Sequence, residues 1–186
     1  GKNTVDVLGI VWLCGVGVML SYSLISFLRL RKQVSEAVRQ DGVWLCDRVE
    51  SPFILGIIRP RIYLPTGLDP KNTQFVLAHE NAHIRRGDHV IKPLGFLLLS
   101  VYWFNPLIWL GFVLLCRDIE LACDERVIKN MDKDSVAGYS QALLDCVSNK
   151  RTVLACPVAF GEVATKERVK NVLNYKKPAF WIIIIA

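Results

Sequence analysis

Val7 to Leu28 runs without a single charge and without a polar stripe. That run exceeds the about 20 apolar residues a bilayer core requires, and it predicts a transmembrane helix over residues 5–28. A cleaved signal peptide is the rival reading, but it carries its basic residues before the apolar core. Here Arg29, Arg31 and Lys32 come after it, which favours a membrane span and places those residues in the cytoplasm. Gln33 to Gln40 is polar and is expected to continue the helix off the membrane. Asp41-Gly42 marks a turn. Three short apolar runs follow, at Val43–Cys46, Phe53–Ile58 and Arg61–Pro65, separated by Ser51-Pro52 and Arg59-Pro60. Runs of this kind predict a small antiparallel sheet. Its edge is either plain scaffold or a strand able to pair with an extended peptide, and the sequence favours neither.

The pattern then changes period. Thr66-Gly67-Leu68-Asp69-Pro70 is a helix start, with Asp69 placed to cap and Pro70 at the first helical position. Phe75, Ala78 and Ala82 supply the helical apolar spacing that follows. Pro93 to Cys116 is a second uncharged run, interrupted by Asn105-Pro106. It reads either as one span or as two short helices broken at the proline, a membrane-associated hairpin over 90–116. An acidic helix follows from Arg117 to Val127. After it come a polar loop at Asp132–Asp134, an amphipathic helix from Val136 to Val147 and a loop or edge strand at Val153–Phe160. A basic helix occupies Ala164–Tyr175. Residues 178–186 read as the start of a truncated transmembrane helix, and the chain as a fragment of a longer membrane protein. The expected domain between the outer spans covers residues 29–177 and faces the cytoplasm, because basic clusters flank both spans on the same side.

Composition agrees with membrane residence: 52% of residues are hydrophobic and mean hydropathy is +0.33. The net charge of +6 would suit nucleic acid. The basic residues instead sit beside apolar runs, as juxtamembrane charge does, so no direct nucleic-acid binding is expected. The six cysteines form no C-x-x-C pair, which argues against an all-cysteine metal site and for reduced thiols.

The chemistry lies in His79-Glu80-Asn81-Ala82-His83, an H-E-x-x-H run. On a helix, residues i and i+4 share a face, so both imidazoles reach one metal ion. Two imidazoles and one further ligand hold Zn²⁺ and leave a position for water, whose proton Glu80 is placed to take. The bland alternative is a surface helix with two spare histidines. For the third ligand Glu120 leads, because it opens Glu120-Leu121-Ala122-Cys123-Asp124, with Asp124 one turn on and able to orient a histidine. His89 is the rival at the offset of H-E-x-x-H-x-x-G-x-x-H, but Arg86 stands where that pattern has glycine. Cys123 is a weaker candidate. Asp88 and His89 are either an exposed helix end or supports for the ligands.

Taken in order, Ser51-Pro52-Phe53, Arg59-Pro60, Ile62-Tyr63-Leu64-Pro65, the H-E-x-x-H run, Phe104-Asn105-Pro106 and Glu120–Val127 resemble one family. It is the integral-membrane zinc peptidases of the bacterial β-lactam-sensor and antirepressor (BlaR/MecR-like) type. The resemblance implies an α+β membrane protein, with a mainly helical gluzincin-like zinc peptidase domain carried between transmembrane helices. It implies His79, His83 and Glu120 as zinc ligands and Glu80 as general base. It implies a multi-pass protein of the bacterial cell membrane that cleaves itself, a cytoplasmic transcriptional repressor, or both. The expected partners are therefore a peptide or protein substrate, the lipid bilayer and a second copy of the chain as a homodimer. Sensors of that type carry a penicillin-binding domain with S-x-x-K, and no S-x-x-K occurs in this sequence. A housekeeping membrane protease and a non-catalytic receptor module with a structural metal are the alternatives. Glu80 speaks against the latter, since a closed structural site has no use for a base.

Overall fold

The computed structural model describes residues 2–148 and 165–175. Helix α1 (Lys2–Gln33) comes first, followed by four strands: β1 (Val38–Gln40), β2 (Val43–Leu45), β3 (Phe53–Leu55) and β4 (Arg61–Leu64). Helices α2 (Pro70–Arg86), α3 (Asp88–Val101), α4 (Pro106–Ile128), α5 (Lys133–Ser148) and α6 (Thr165–Leu173) complete the described chain. The runs expected at 153–160 and 178–186 lie outside the described residues.

Helix α1 has no buried face over most of its length, and Leu8, Val18 and Leu24 are among its exposed apolar side chains. Among the described residues it is the one helix long and apolar enough to cross a membrane. It contacts the rest of the molecule at two levels. Phe27 and Leu30, near its C-terminal end, pack on a core of Val34, Cys46, Val49, Leu55 and Tyr63. Higher up, Trp12 Nε1 donates to Val101 O at 2.8 Å and Trp103 Nε1 donates to Trp12 O at 3.3 Å. Gly15 permits this approach, because a Cβ there would fall 2.1 Å from the Trp103 ring.

The sheet departs from expectation in two ways. Its order is β1-β2-β4-β3 and it is mixed: β1/β2 and β3/β4 are antiparallel, while β2 and β4 run parallel. Residues 46–52 are long enough to carry β3 to the far edge, so that β4 returns into the gap beside β2. In addition, the polar stretch before Asp41 is not a helical extension. Helix α1 ends at Gln33, and Val38–Gln40 forms β1. Asp41 and Gly42 both have positive φ, 49° and 87°, as a two-residue hairpin turn of mirror-image type requires. An Asp-Gly pair is itself a hairpin signal that points to a strand on its N-terminal side.

Helix α2 begins as its sequence demands. Asp69 accepts a hydrogen bond from Lys71 N, and Pro70 occupies the first turn. It ends at Gly87, whose φ of 78° turns the chain and whose N–H reaches the His83 and Ile84 carbonyls. Val76 packs with Ile62 and Leu64 under the sheet. The second uncharged run is two helices. After Val101 the chain turns, Asn105 accepts from Leu107 N at 2.9 Å, and Pro106 opens α4. Phe96, Leu99, Phe112 and Cys116 form the seam between α3 and α4, with Met19 of α1 against it. Ile128, Tyr139 and Val172 join α4, α5 and α6. Helix α5 starts at Lys133, inside the stretch read as a loop.

Candidate metal centre

Four helices, α2, α4, α5 and α6, meet around His79. On α2, one turn separates His79 and His83, and both are buried together with Glu80. Glu120 comes from α4 and is buried too. The Nε2 atoms of His79 and His83 lie 3.0 Å apart. Glu120 Oε2 is 3.3 Å from His79 Nε2, and its Oε1 is 3.5 Å from His83 Nε2. Two ring nitrogens and a carboxylate therefore face one point, as a group that could hold a metal ion.

Each histidine has a carboxylate behind it. His83 Nδ1 donates to Asp88 Oδ2 at 2.8 Å, and Asp88 is only 1% exposed. His79 Nδ1 faces Asp124 Oδ1 at 3.2 Å and the Tyr139 hydroxyl at 2.9 Å. Such bonds fix the Nδ1–H tautomer and turn the Nε2 lone pairs inward, the arrangement that metal-binding histidines use. Asp88 reaches His83 because Gly87 breaks the helix between them. On an unbroken helix, residues five apart point in different directions. Among the described residues, His89 belongs neither to this group nor to a second one that could hold a metal, His83, Asp88 and Cys123, and its buried Nδ1 has no hydrogen-bond partner among them. Cys123, also buried, lies 3.2 Å from both His83 Nδ1 and Asp88 Oδ2, on the side away from Glu120's contacts with Nε2.

Three participants carry no motif signal. Lys92 of α3 donates to Glu120 Oε1 at 2.9 Å. Tyr139 of α5 donates to Asp124 Oδ1 at 2.6 Å. Arg168 of α6 holds Asp124 with two bonds of 2.7 Å, and reaches Glu120 Oε2 and His79 Nε2 at 3.2 Å each.

Charge tests whether a cation fits. Four carboxylates are buried here, Glu80, Asp88, Glu120 and Asp124, against two cations, Lys92 and Arg168. With neutral histidines, these buried groups sum to two negative charges. Arg86, partly exposed, meets Asp88 Oδ1 at 3.5 Å and offsets part of this, and the remainder is costly in a region from which water is largely excluded. A divalent ion among His79, His83 and Glu120 closes that deficit, and zinc suits the nitrogen and oxygen donors. Protons close it otherwise. Burial pulls His83 down, yet Asp88, Cys123 and Glu120 outweigh it and raise its pKa to about 11. Burial likewise opposes the charged form of His79, but Asp124 and Glu120 raise it. Glu120 shows the converse. Burial would lift it, while His79, His83, Lys92 and Arg168 hold it well below the usual carboxylate range. For Asp124 the same opposition ends at about 2, with Arg168 the main stabilising partner.

A helical scaffold with a small sheet and a buried His–His–Glu group defines the class as metallopeptidase once the relatives are considered. The chain matches the family model described as BlaR1 peptidase M56 over residues 1–172, and it belongs to that family. It is 30% identical to the regulatory protein BlaR1 of Bacillus licheniformis over 89% of this chain and 32% of the relative. It is 25% identical to the methicillin resistance mecR1 protein of Staphylococcus aureus, and equally to that of Staphylococcus epidermidis, over 69% of this chain and 23% of each. The chain thus spans a third or less of the length of these curated relatives.

Proposed function

We propose that this chain is the gluzincin-like zinc endopeptidase part of a multi-pass membrane protein, acting in signal transduction. Its reaction is site-specific proteolysis, of the protein itself, of a cytoplasmic transcriptional repressor, or of both. The observation that carries this reading is the convergence of His79, His83 and Glu120 beside Glu80, inside a buried group of charges that is negative on balance. The names of the relatives, a regulatory protein and resistance proteins, support a regulatory role.

When bound there, zinc supplies Lewis acidity to water and to a peptide carbonyl. The chain's own residues do the rest. Asp88 and Asp124 fix the two imidazoles, and Lys92 holds Glu120 from the side of α3. Glu80 accepts the proton of the attacking water and passes it to the departing amine nitrogen.

The same reading places α1 across the bilayer, with α3 and α4 beside it. Trp12 meets Val101 and Trp103 at the turn between α3 and α4. Leu28 to Trp12 is about 24 Å of helix rise, so the hairpin reaches deeper than one leaflet of a core about 30 Å thick. The loops and helices around the metal centre then lie on the cytoplasmic side, with Arg31 and Lys32 of the last turn of α1.

Glu80→Gln tests the chemistry. The variant retains zinc near one per chain and loses proteolysis by at least about 10²-fold. Normal cleavage by the purified variant removes Glu80 from the role of base.

A further inference from the structure

Arg168 is the least expected member of the centre. It lies on α6, in the basic pattern Lys166-Glu167-Arg168-Val169-Lys170, yet it is buried while its neighbours on either side are not. A guanidinium has five N–H groups in a fixed fork. Asp124 takes two of them, at 2.7 Å each. Of the rest, Nη2 points at His79 Nε2 and Nη1 at Glu120 Oε2, both 3.2 Å away. These are the atoms that turn toward the metal position. A lone pair committed to a cation no longer accepts a hydrogen bond. Metal uptake therefore releases at least one N–H of a buried, permanently charged group, held rigidly by Asp124 and aimed at the reacting position. Lys92, the other buried cation, meets Glu120 through Oε1.

We infer that Arg168 is a catalytic residue, whose guanidinium binds the carbonyl oxygen of the scissile peptide as negative charge builds on it. The inference rests on the peptidase reading. In the step, the water oxygen bonds to the carbonyl carbon, one water proton goes to Glu80, and the carbonyl π pair moves onto oxygen, where Arg168 meets it. Collapse restores the carbonyl and breaks the C–N bond, and the proton held by Glu80 leaves with the amine. Peptide and water give acid and amine, with no other reactant. A preorganised donor of this kind is worth about 10²–10³ in rate, more when it carries charge in a site closed to water. Asp124 then does two jobs with one carboxylate: it orients His79 through Oδ1 and aims Arg168 through both oxygens.

The test uses the full chain in detergent, with wild type, Glu80→Gln, Arg168→Lys and Arg168→Gln. Three quantities are read: the zinc dissociation constant, kcat/KM on a cleavable peptide, and affinity for the phosphinic analogue of that peptide, an anionic tetrahedral mimic. Arg168→Lys is expected to hold zinc within about threefold of wild type while losing about 10²-fold or more in kcat/KM and a comparable factor in phosphinate affinity. Arg168→Gln is expected to lose more on both counts. If zinc affinity falls in parallel with activity in both variants, Arg168 only supports the metal site and the inference is overturned. Unchanged kcat/KM with zinc retained overturns it equally. A wild-type chain that takes up no zinc and cleaves no peptide defeats the peptidase reading instead, and a Glu80→Gln chain that cleaves normally overturns the step in which Glu80 takes the proton.

Discussion

The two ends of the α3–α4 hairpin have opposite polarity. At the end near α2, Asp88, Lys92, Glu120 and Asp124 are buried, and the charges face one another. At the other end, Leu98, Leu107 and Leu110 stand outward, Leu107 71% exposed. A water-soluble helix pair is built the other way, with apolar side chains inside and charge outside. The inversion along one pair of helices says that its two ends answer to different surroundings. The inner end is organised by charge balance. In the proposed membrane placement the outer end would lie in an apolar medium, where exposed leucine costs nothing and backbone polar groups are satisfied within the helices.

The strongest way to break that contrast is to make the charged end apolar. Lys92→Met leaves Glu120 short of one of its two buried cationic partners, and losing one member of a buried pair costs about 3–5 kcal/mol. The expected result is a large fall in the thermal midpoint of the metal-free protein in detergent. An unchanged midpoint would show that the four carboxylates do not depend on their cations. The reverse substitution tests the other end. Leu110→Asp on a water-facing surface would cost within about 0.5 kcal/mol. At the centre of a membrane helix it costs about 2.5–3.5 kcal/mol. Reduced membrane insertion, read by alkaline carbonate extraction of cell membranes, is the expected outcome, and full retention would place that face in water.

Much of this was legible in the sequence, and the exceptions have physical causes. Helix α2 could be read because Asp69 and Pro70 act locally and H-E-x-x-H shows its own period. Glu120 could be proposed because its carboxylate shares a helical turn with Asp124. Arg168 could not, since it lies 44 residues from Asp124 and basic residues surround it. A charged residue that is buried and one that faces water look alike in a sequence. Tyr139 was hidden for a similar reason: an aromatic on an amphipathic helix reads as core, and here its ring does pack with Phe75 while its hydroxyl serves the site. Strand β1 has three exposed residues and no alternation to betray it, and strand order is fixed by contacts that no short window contains.

The mildest test of the contrast is pH, because protons and metal compete for one charge deficit. In the metal-free protein, the raised His83 contributes stability that is complete below about pH 6.5 and is lost as pH rises toward about 11. The lowered Asp124 contributes stability that is present above its ordinary value and lost as pH falls toward about 2. Zinc requires deprotonated imidazoles, so its affinity rises with pH over the range in which the metal-free form weakens. The rise in melting temperature on adding zinc should therefore grow between about pH 6 and 8, by a few degrees. A zinc-induced shift that does not vary with pH would remove the histidines from that competition.

Gly87 gives the metal centre a divided allegiance. His83 rides on α2, the helix under the sheet, and its Nδ1 partner Asp88 rides on the first turn of α3, whose other end touches α1 at Trp12. The corner between them is one residue wide. A tilt of the apolar helices about that corner would be felt as a twist of one imidazole ring, with no relay of intermediate side chains. The alignment of the reactive groups is thus a reading of helix posture, taken at a single glycine.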